Sequence, residues 1–413
     1  MRAGRLPMLD PRWLAALILL AIWAFRSGQS LLATATGYAL LLALLMLWMR
    51  RVALRGVGYR RELAHDRASC GDEIELRVQI SNDKLWPLAY LEVEDQLPRH
   101  VSLLDGTVRR ARDSLLPSLV MRRAMLPYER VTRRLRVRCD RRGVHHFGPA
   151  QCRAGDFLSE PTEHRGVPEE LELLVLPKIF PIVVREDPAS PVLGPLRARR
   201  ALLVDPLRVV GARDYQSGDP MRHVDWRATA RRNALTVREL EPSATPGLQL
   251  ILDFEVRAAR ADTVEPDELE LAISVVASLA THAARQGWAF GLLGNGWSGG
   301  APLHVPASPA PTQLTRVLEA LARARSRPSA PLATWLSEQS ARDLTRGASA
   351  LAVVTCHVHA GLRAALTGLR RRGMHVFLVQ VGGEDGADGA LGFPLRRVAY
   401  EEGWVTRDAL VLA

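Results

Sequence analysis

The chain has 413 residues, 47% hydrophobic and 24% charged, which suits two ordinary domains plus an anchor and excludes a disordered chain. Its formal net charge is +11, carried almost wholly by Arg, since Lys occurs only at Lys84 and Lys178. Such a balance favours anionic surfaces, although an Arg bias also follows from GC-rich coding. Four scattered cysteines, Cys70, Cys139, Cys152 and Cys356, form no C-x-x-C pair, which excludes a disulfide framework and suits a reducing compartment.

Trp13 to Phe25 is unbroken apolar sequence, followed by the polar turn Arg26-Ser27-Gly28-Gln29-Ser30. Leu31 to Met49 then runs without a charge. At about 1.5 Å per residue this second run crosses about 30 Å of hydrocarbon. The pair reads as a membrane helical hairpin within residues 1–61, with helices at about 13–25 and 31–49. Trp13, Trp23, Tyr38 and Trp48 are candidate interfacial anchors. Arg2, Arg5 and Arg12 precede the hairpin, Arg50, Arg51, Arg55, Arg60 and Arg61 follow it, and only Arg26 lies in the turn. The positive-inside rule therefore predicts an inner-membrane protein with two spans and cytoplasmic soluble domains. A secretory leader cleaved at Ala33-Thr34-Ala35 is the competing reading, but that cut falls inside the second apolar run.

Residues 62–176 change to a period of two. Glu73 to Ile80 alternates cleanly and ends at Ser81-Asn82-Asp83, and Ala89 to Val93 and Val131 to Val137 alternate likewise. Short strands between turn residues predict a small β-sandwich-like domain. Within it, Arg142-Gly143-Val144-His145-His146-Phe147-Gly148-Pro149 precedes Gly155-Asp156-Phe157-Leu158. Cys139, His145, His146 and Cys152 invite a zinc reading, but alternation puts the two histidines on opposite strand faces, so ordinary strand residues are expected.

Residues 177–246 read as a linker carrying a signature at 211–242. Gly218 is a turn residue, Asp219 fits a helix N-cap and Pro220 the first helical position. A short helix to about Arg232, a stop at Asn233 and a strand from Leu235 to Leu240 are expected. Arg222 lies one turn from Asp225 and Trp226, within reach of an ion pair and a cation–π contact. Arg213, Asp214, Asp219, Arg222, Asp225 and Arg231 form a dense mixed-charge cluster, either a polar network or a recognition surface.

This stretch resembles the signature of the bacterial "domain of unknown function 58" family. Arg213, Tyr215, Gly218, Asp219, Arg222, Val224, Trp226, Ala230 and Arg231 fill its pattern. The resemblance implies a two-helix membrane protein with a von Willebrand factor A-like C-terminal domain. It further implies a MoxR-type AAA ATPase as partner and no assigned reaction.

From 247 to 413 strands and helices alternate. Strands are predicted at Leu248–Phe254, Trp288–Leu293, Leu351–Thr355 and His375–Val381. Helices are predicted at Glu268–Arg285, Leu314–Ala324, Leu332–Leu344 and Leu362–Arg371. This is a doubly wound, mainly parallel α/β domain. By resemblance to the von Willebrand A fold, Asp253, Glu255 and Arg257 stand where Asp-x-Ser-x-Ser would hold a metal. The aspartate survives, but Glu255, Arg257 and Thr355-Cys356 leave the site degenerate, and no metal is expected.

Other motif matches carry less. Gly294-Asn295-Gly296-Trp297-Ser298-Gly299 fits a dinucleotide fingerprint, and Gly296 to Gly300 fits a nucleophile elbow. Both need a helix N-terminus that Pro302 and Pro306 argue against, so one glycine-rich hairpin turn is expected. Cys356, His357 and His359 sit at a strand end, but neighbours on a strand do not face one another. No P-loop is present.

The expected function is a membrane-anchored, non-catalytic scaffold or adaptor for assembly of an envelope or client complex, without cofactors. Its interaction element is Arg213, Tyr215, Gly218, Asp219, Arg222, Asp225, Trp226 and Arg231, and its protein partner, by resemblance, is the ATPase. The alternatives are a basic membrane-surface or nucleic-acid-associated protein, which the dispersed arginines disfavour, and an undetected hydrolase, for which no nucleophile–base set stands out. The oligomeric state is left open.

Overall fold

The computed structural model describes residues 11–105, 108–110, 117–155, 161–184, 204–216, 219, 221–242, 247–255, 267–338, 350–382 and 394–412. The chain divides into two compact units, 1–175 and 176–413.

The first unit opens with helices α1 (Pro11–Arg26) and α2 (Ser30–Val52). Ser27 N–H bonds Trp23 O at 2.9 Å to close α1, and Gly28 at φ 71° turns the chain. Leu19, Phe25, Leu31 and Leu41 point outward, so apolar side chains cover the outside of these helices. Ser30–Met49 is the one stretch among the described residues that is long and apolar enough to cross a bilayer. Arg2 and Arg5 lie outside the described residues.

Twelve strands follow: β1 (Val57–Leu63), β2 (Arg67–Ser69), β3 (Glu73–Asn82), β4 (Leu88–Gln96), β5 (Val101–Leu103), β6 (Val108–Arg110), β7 (Pro117–Met125), β8 (Arg130–Cys139), β9 (Gly143–Phe147), β10 (Ala150–Gly155), β11 (Pro161–Val167) and β12 (Leu171–Leu176). They form sheets ordered β1-β3-β8-β5, β11-β10-β4-β7-β6 and β2-β12-β9. The alternation in β3 puts Ile74, Leu76, Val78 and Ile80 inside. Tyr59 and Arg61 of β1 reach across to Asp95 of β4, so the first two sheets face one another. Two arginines of β8 are neutralised locally: Arg136 pairs with Asp105 at 2.8 Å and Arg138 with Asp140 at 2.9 Å.

The second unit contains β13 (Ile182–Val184), β14 (Val204–Asp214), α3 (Trp226–Arg232), β15 (Thr236–Pro242), β16 (Gly247–Leu252), α4 (Asp267–Arg285), β17 (Ala289–Ser298), β18 (Ala301–Ser308), α5 (Gln313–Ala322), β19 (Ala324–Pro328), α6 (Leu332–Glu338), β20 (Ala350–Thr355), α7 (Ala360–Arg371), β21 (His375–Val381), β22 (Leu395–Val398) and β23 (Leu410–Leu412). Its main sheet is ordered β18-β17-β16-β20-β21-β22, with β19 also on β17. The pairs from β17 through β22 are parallel, and β18 is antiparallel. Every residue of β16 and β20 is buried, because both sheet faces are covered. Leu248, Leu250 and Leu252 join the core beneath α4 and α5, while Ile251 joins the core beneath α6 and α7.

Three expectations need correction. Residues 177–184, read as linker, are built into the α/β unit: Phe180 is buried in its core and donates its N–H to Ser278 Oγ at 2.9 Å, and β13 pairs with β23. The helix at 314–324 ends at Ala322, and the chain turns into β19 against β17. The glycine-rich run is not one turn. Only Gly299 and Gly300, at φ 58° and 88°, turn the chain between β17 and β18. Gly294 and Gly296 lie within β17, where a Cβ on Gly296 would meet the Phe254 ring at 2.5 Å. Residues 156–158 and 339–344 lie outside the described residues.

Candidate functional site

The order of the parallel sheet reverses between β16 and β20, and ligands of open α/β sheets bind beyond the carboxyl ends of such strands. Asp253 leaves β16 at that point, fully buried. Its Oδ1 accepts from Glu255 N–H at 3.0 Å and from Asn295 Nδ2 at 3.0 Å, and its Oδ2 accepts from Thr355 Oγ1 at 2.8 Å. Asn295 also takes Phe254 N–H at 2.8 Å and donates to Ala330 O at 3.0 Å. No cation sits among these partners, so burial pushes the Asp253 carboxyl up to about 7 against the pull of its hydrogen bonds.

Above Asp253 stands a more open layer. Glu255 Oε2 accepts Leu332 N–H at 3.0 Å, at the first residue of α6, and lies 3.6 Å from His359 Nε2. His359 caps α7 by accepting Leu362 N–H at its Nδ1, 3.3 Å away. The His357 ring lies 5.9 Å from that of His359. Cys356, just before them in sequence, points into the core, and burial drives its thiol far above the ordinary range. The Cys–His neighbours therefore do not face one another.

Asp253 and Glu255 are brought together by the structure, and Arg257 lies outside the described residues. Sequence reasoning passed over Asn295 as a turn residue, although a lone amide among glycines and leucines of a buried strand was a usable signal. Among the described residues no three His, Cys, Asp or Glu side chains converge as a metal would need. Cys139, Cys152 and His145 are buried and His146 is half exposed.

The signature forms a second polar construction, on the β14–β15 pair. Arg213 clamps Asp219 through two bonds of 2.7 Å, and Asp219 also takes Gln216 N–H at 2.9 Å. These donors hold the Asp219 carboxyl down at about 2. Tyr215 continues the strand pairing, its N–H on Leu235 O at 2.8 Å. Asp219 is therefore not the helix N-cap. A 3-10 turn at Met221–His223 intervenes, and Asp225 caps α3, accepting from Arg227 N–H at 3.0 Å and Ala228 N–H at 3.1 Å. Asp225 also faces Arg238 at 3.5 Å, a partner contributed by β15. Asn233 ends α3 in the left-handed region at φ 52°, as its sequence position predicts. Trp226 is 62% exposed, and Arg231 is exposed as well. Gly218, Pro220 and the Arg222 side chain lie outside the described residues. The mixed-charge cluster thus resolves into an Arg213–Asp219 clamp and an Asp225–Arg238 pair.

Residues 211–382 match the family described as "Protein of unknown function DUF58". Over that stretch the chain is similar to this family. The matched DUF58 segment begins in β14 and ends just after β21, so it holds both polar constructions. A relative, "Uncharacterized protein YeaD" of Bacillus subtilis (strain 168), is 27% identical over 247 residues, 58% of this chain and 56% of that protein. The chain therefore spans about half the length of this curated relative. Among solved structures, a Salmonella alpha-2-macroglobulin mutant aligns over 29% of this chain and 7% of its own, with TM-score 0.22 and 15% identity. A cohesin module from Clostridium perfringens aligns over 29% of this chain and 96% of its own, with TM-score 0.20 and 10% identity.

Proposed function

We propose that this chain is a membrane-anchored, non-catalytic adaptor whose α/β unit binds a protein partner. One observation carries the reading: at the sheet's switch point the carboxylates are already engaged by the chain's own donors. Both oxygens of Asp253 accept hydrogen bonds, and Glu255 is engaged by Leu332 N–H with His359 alongside. Such a platform is rigid and pre-organised, as recognition requires, and the thiol beside it is buried and protonated.

The reading extends to parts that the resemblance suggests. Helices α1 and α2 form a hairpin with both members in the bilayer, and the arginines flanking it place both soluble units in the cytoplasm. The α/β unit is von Willebrand A-like with a degenerate metal site. Its partner is a MoxR-type AAA ATPase, and the exposed Trp226 and Arg231 belong to the surface that meets it. The local pairing of Arg136 and Arg138 on β8 weighs against a nucleic-acid role.

The test is photo-cross-linking of the full-length chain in its own membranes, with probes at Glu255 and Trp226. The expected result is an adduct with the ATPase from at least one position. Adducts from neither position would reject the ATPase-adaptor reading. Reporter fusions after Arg61 and at the C-terminus test the orientation: an extracytoplasmic signal at either site would exclude a cytosolic ATPase as direct partner.

A further inference from the structure

We infer that two loops of the β-rich unit, residues 83–87 and 126–129, sit in the polar–apolar interface of the bilayer that α2 crosses. The inference rests on the reading of α2 as a membrane span and adds a second, independent contact with the lipid surface.

The geometry starts at the end of α2. Trp48 lies one residue before the end of the apolar stretch Ser30–Met49, the level at which tryptophan sits in a membrane. Trp86 of the first loop packs edge-on against Trp48, ring centres 5.0 Å apart. Lys84 donates to Val52 O at 3.1 Å and to Ala53 O, capping the last carbonyls of α2 with a cation. Asp83 N–H bonds Gly56 O at 2.8 Å. The loop is thus held at the depth where the helix leaves hydrocarbon.

The second loop is tied to the first. Asn82, fully buried, donates from Nδ2 to Trp86 O at 3.0 Å and to Leu126 O at 2.8 Å. Tyr128 N–H bonds Lys84 O at 3.2 Å, and Glu129 accepts Leu126 N–H at 2.7 Å. This bracing presents large apolar and aromatic side chains to the outside: Leu85 is 64% exposed, Trp86 42%, Leu126 68% and Tyr128 68%. A fold has no use for four such groups held rigidly in water on adjacent loops. At a membrane surface they match the chemistry of the interface, where Trp and Tyr bury their rings and keep a polar tip wet. Exposed Arg51 and Arg55 stand nearby to meet phosphate headgroups.

The test places single cysteines in the full-length chain, Leu85→Cys and Leu126→Cys, and labels each with an environment-sensitive fluorophore. The four native cysteines are buried and stay unlabelled in the folded chain. Labelled protein is reconstituted into phosphatidylcholine–phosphatidylserine vesicles, without bromine or with lipids brominated at either shallow or deep positions of the acyl chains. Two further exposed positions complete the set. Leu41→Cys lies in α2. Leu104→Cys lies toward the far end of β8, since Leu104 N–H bonds Arg136 O, about 20 Å along the strand from Arg130. The expected result is a blue shift and quenching at 41, 85 and 126, with none at 104. If 41 is quenched while 85 and 126 behave like 104, the loops are in water and the inference fails with the anchor intact. If 41 is not quenched either, the anchor reading falls and the inference falls with it.

Discussion

Asp95 in the β-rich unit and Asp253 in the α/β unit are both fully buried, yet the two units hold them by different means. Asp95 lies 2.6 Å from the buried Arg61 guanidinium and accepts the Tyr59 hydroxyl at 2.6 Å. Arg61 also donates to Glu169 O. Burial pushes the Asp95 carboxyl up, Arg61 and Tyr59 pull it back, and a net rise remains. Asp253 has only neutral donors, an amide, a hydroxyl and a backbone N–H, and rises to about 7. The difference teaches that a buried pair is a structural tie, whose removal on one side strands a charge. A buried carboxyl among neutral donors is instead a proton-binding group near physiological pH, placed where α/β sheets put their ligands.

Arg61→Ala is the largest expected break in this comparison. It leaves Asp95 buried without its cation and should destabilise the β-rich unit by ~3–5 kcal/mol. Hydrogen exchange of β1 and β4 in the detergent-solubilised chain reads the loss. Replacing both partners, Arg61→Met with Asp95→Leu, should recover most of it, because no charge is then stranded.

Next comes the pH response of Asp253. Its folded pKa lies above its unfolded value, so the folded state holds the proton longer. The contribution of Asp253 to stability is therefore fully present below the ordinary carboxylate range and is lost as pH rises from about 4 to about 7. The loss is up to ~4 kcal/mol. Asp253→Asn should flatten this slope in chemical denaturation at pH 5 against pH 8. The amide keeps one acceptor, and Thr355 Oγ1 is already within 3.0 Å of His357 O as an alternative acceptor. A mutant slope equal to the parent's would reject the assignment.

Gly148→Ala sharpens the first half of the comparison more gently. A Cβ there would overlap the Arg61 guanidinium, forcing the ion pair to shift. A destabilisation of ~1–3 kcal/mol is expected, read by the same exchange of β1. Asp219→Asn should have the smallest effect, confined to the signature. It weakens the Arg213 clamp and should speed exchange of the Gln216 amide while leaving both cores unchanged. Because Asp219 is held near 2, the parent's Gln216 amide should stay protected down to mild acid.

Much of this was legible locally. Alternation at Glu73–Ile80 gave the strand and its inward face, and the apolar spacing of Leu269, Ile273, Val276 and Ala280 gave the central helix. Asn233 as a helix stop follows from one residue's tolerance of the left-handed region. Contacts made at a distance left no local trace. Asn295 and Thr355 reach Asp253 from 42 and 102 residues away, and Arg61 reaches Asp95 across 34. The N-cap was misplaced because Asp219 and Asp225 both satisfy the composition rule. Only the clamp from Arg213, set by the β14–β15 pairing, decides between them.

The short pairing of β13 with β23 has a mechanical consequence. The strands run parallel, with Ile182 opposite Leu410 and Val184 opposite Leu412. The chain runs into β13 at its upstream end, after Phe180 has already entered the core, and runs out of β23 at its downstream end. Tension between the incoming segment and the tail therefore acts along the strands. It loads the bonds together as a shear clamp, where an antiparallel pair would open one bond at a time like a zipper. A pull on the tail meets this clamp before it reaches Asp253.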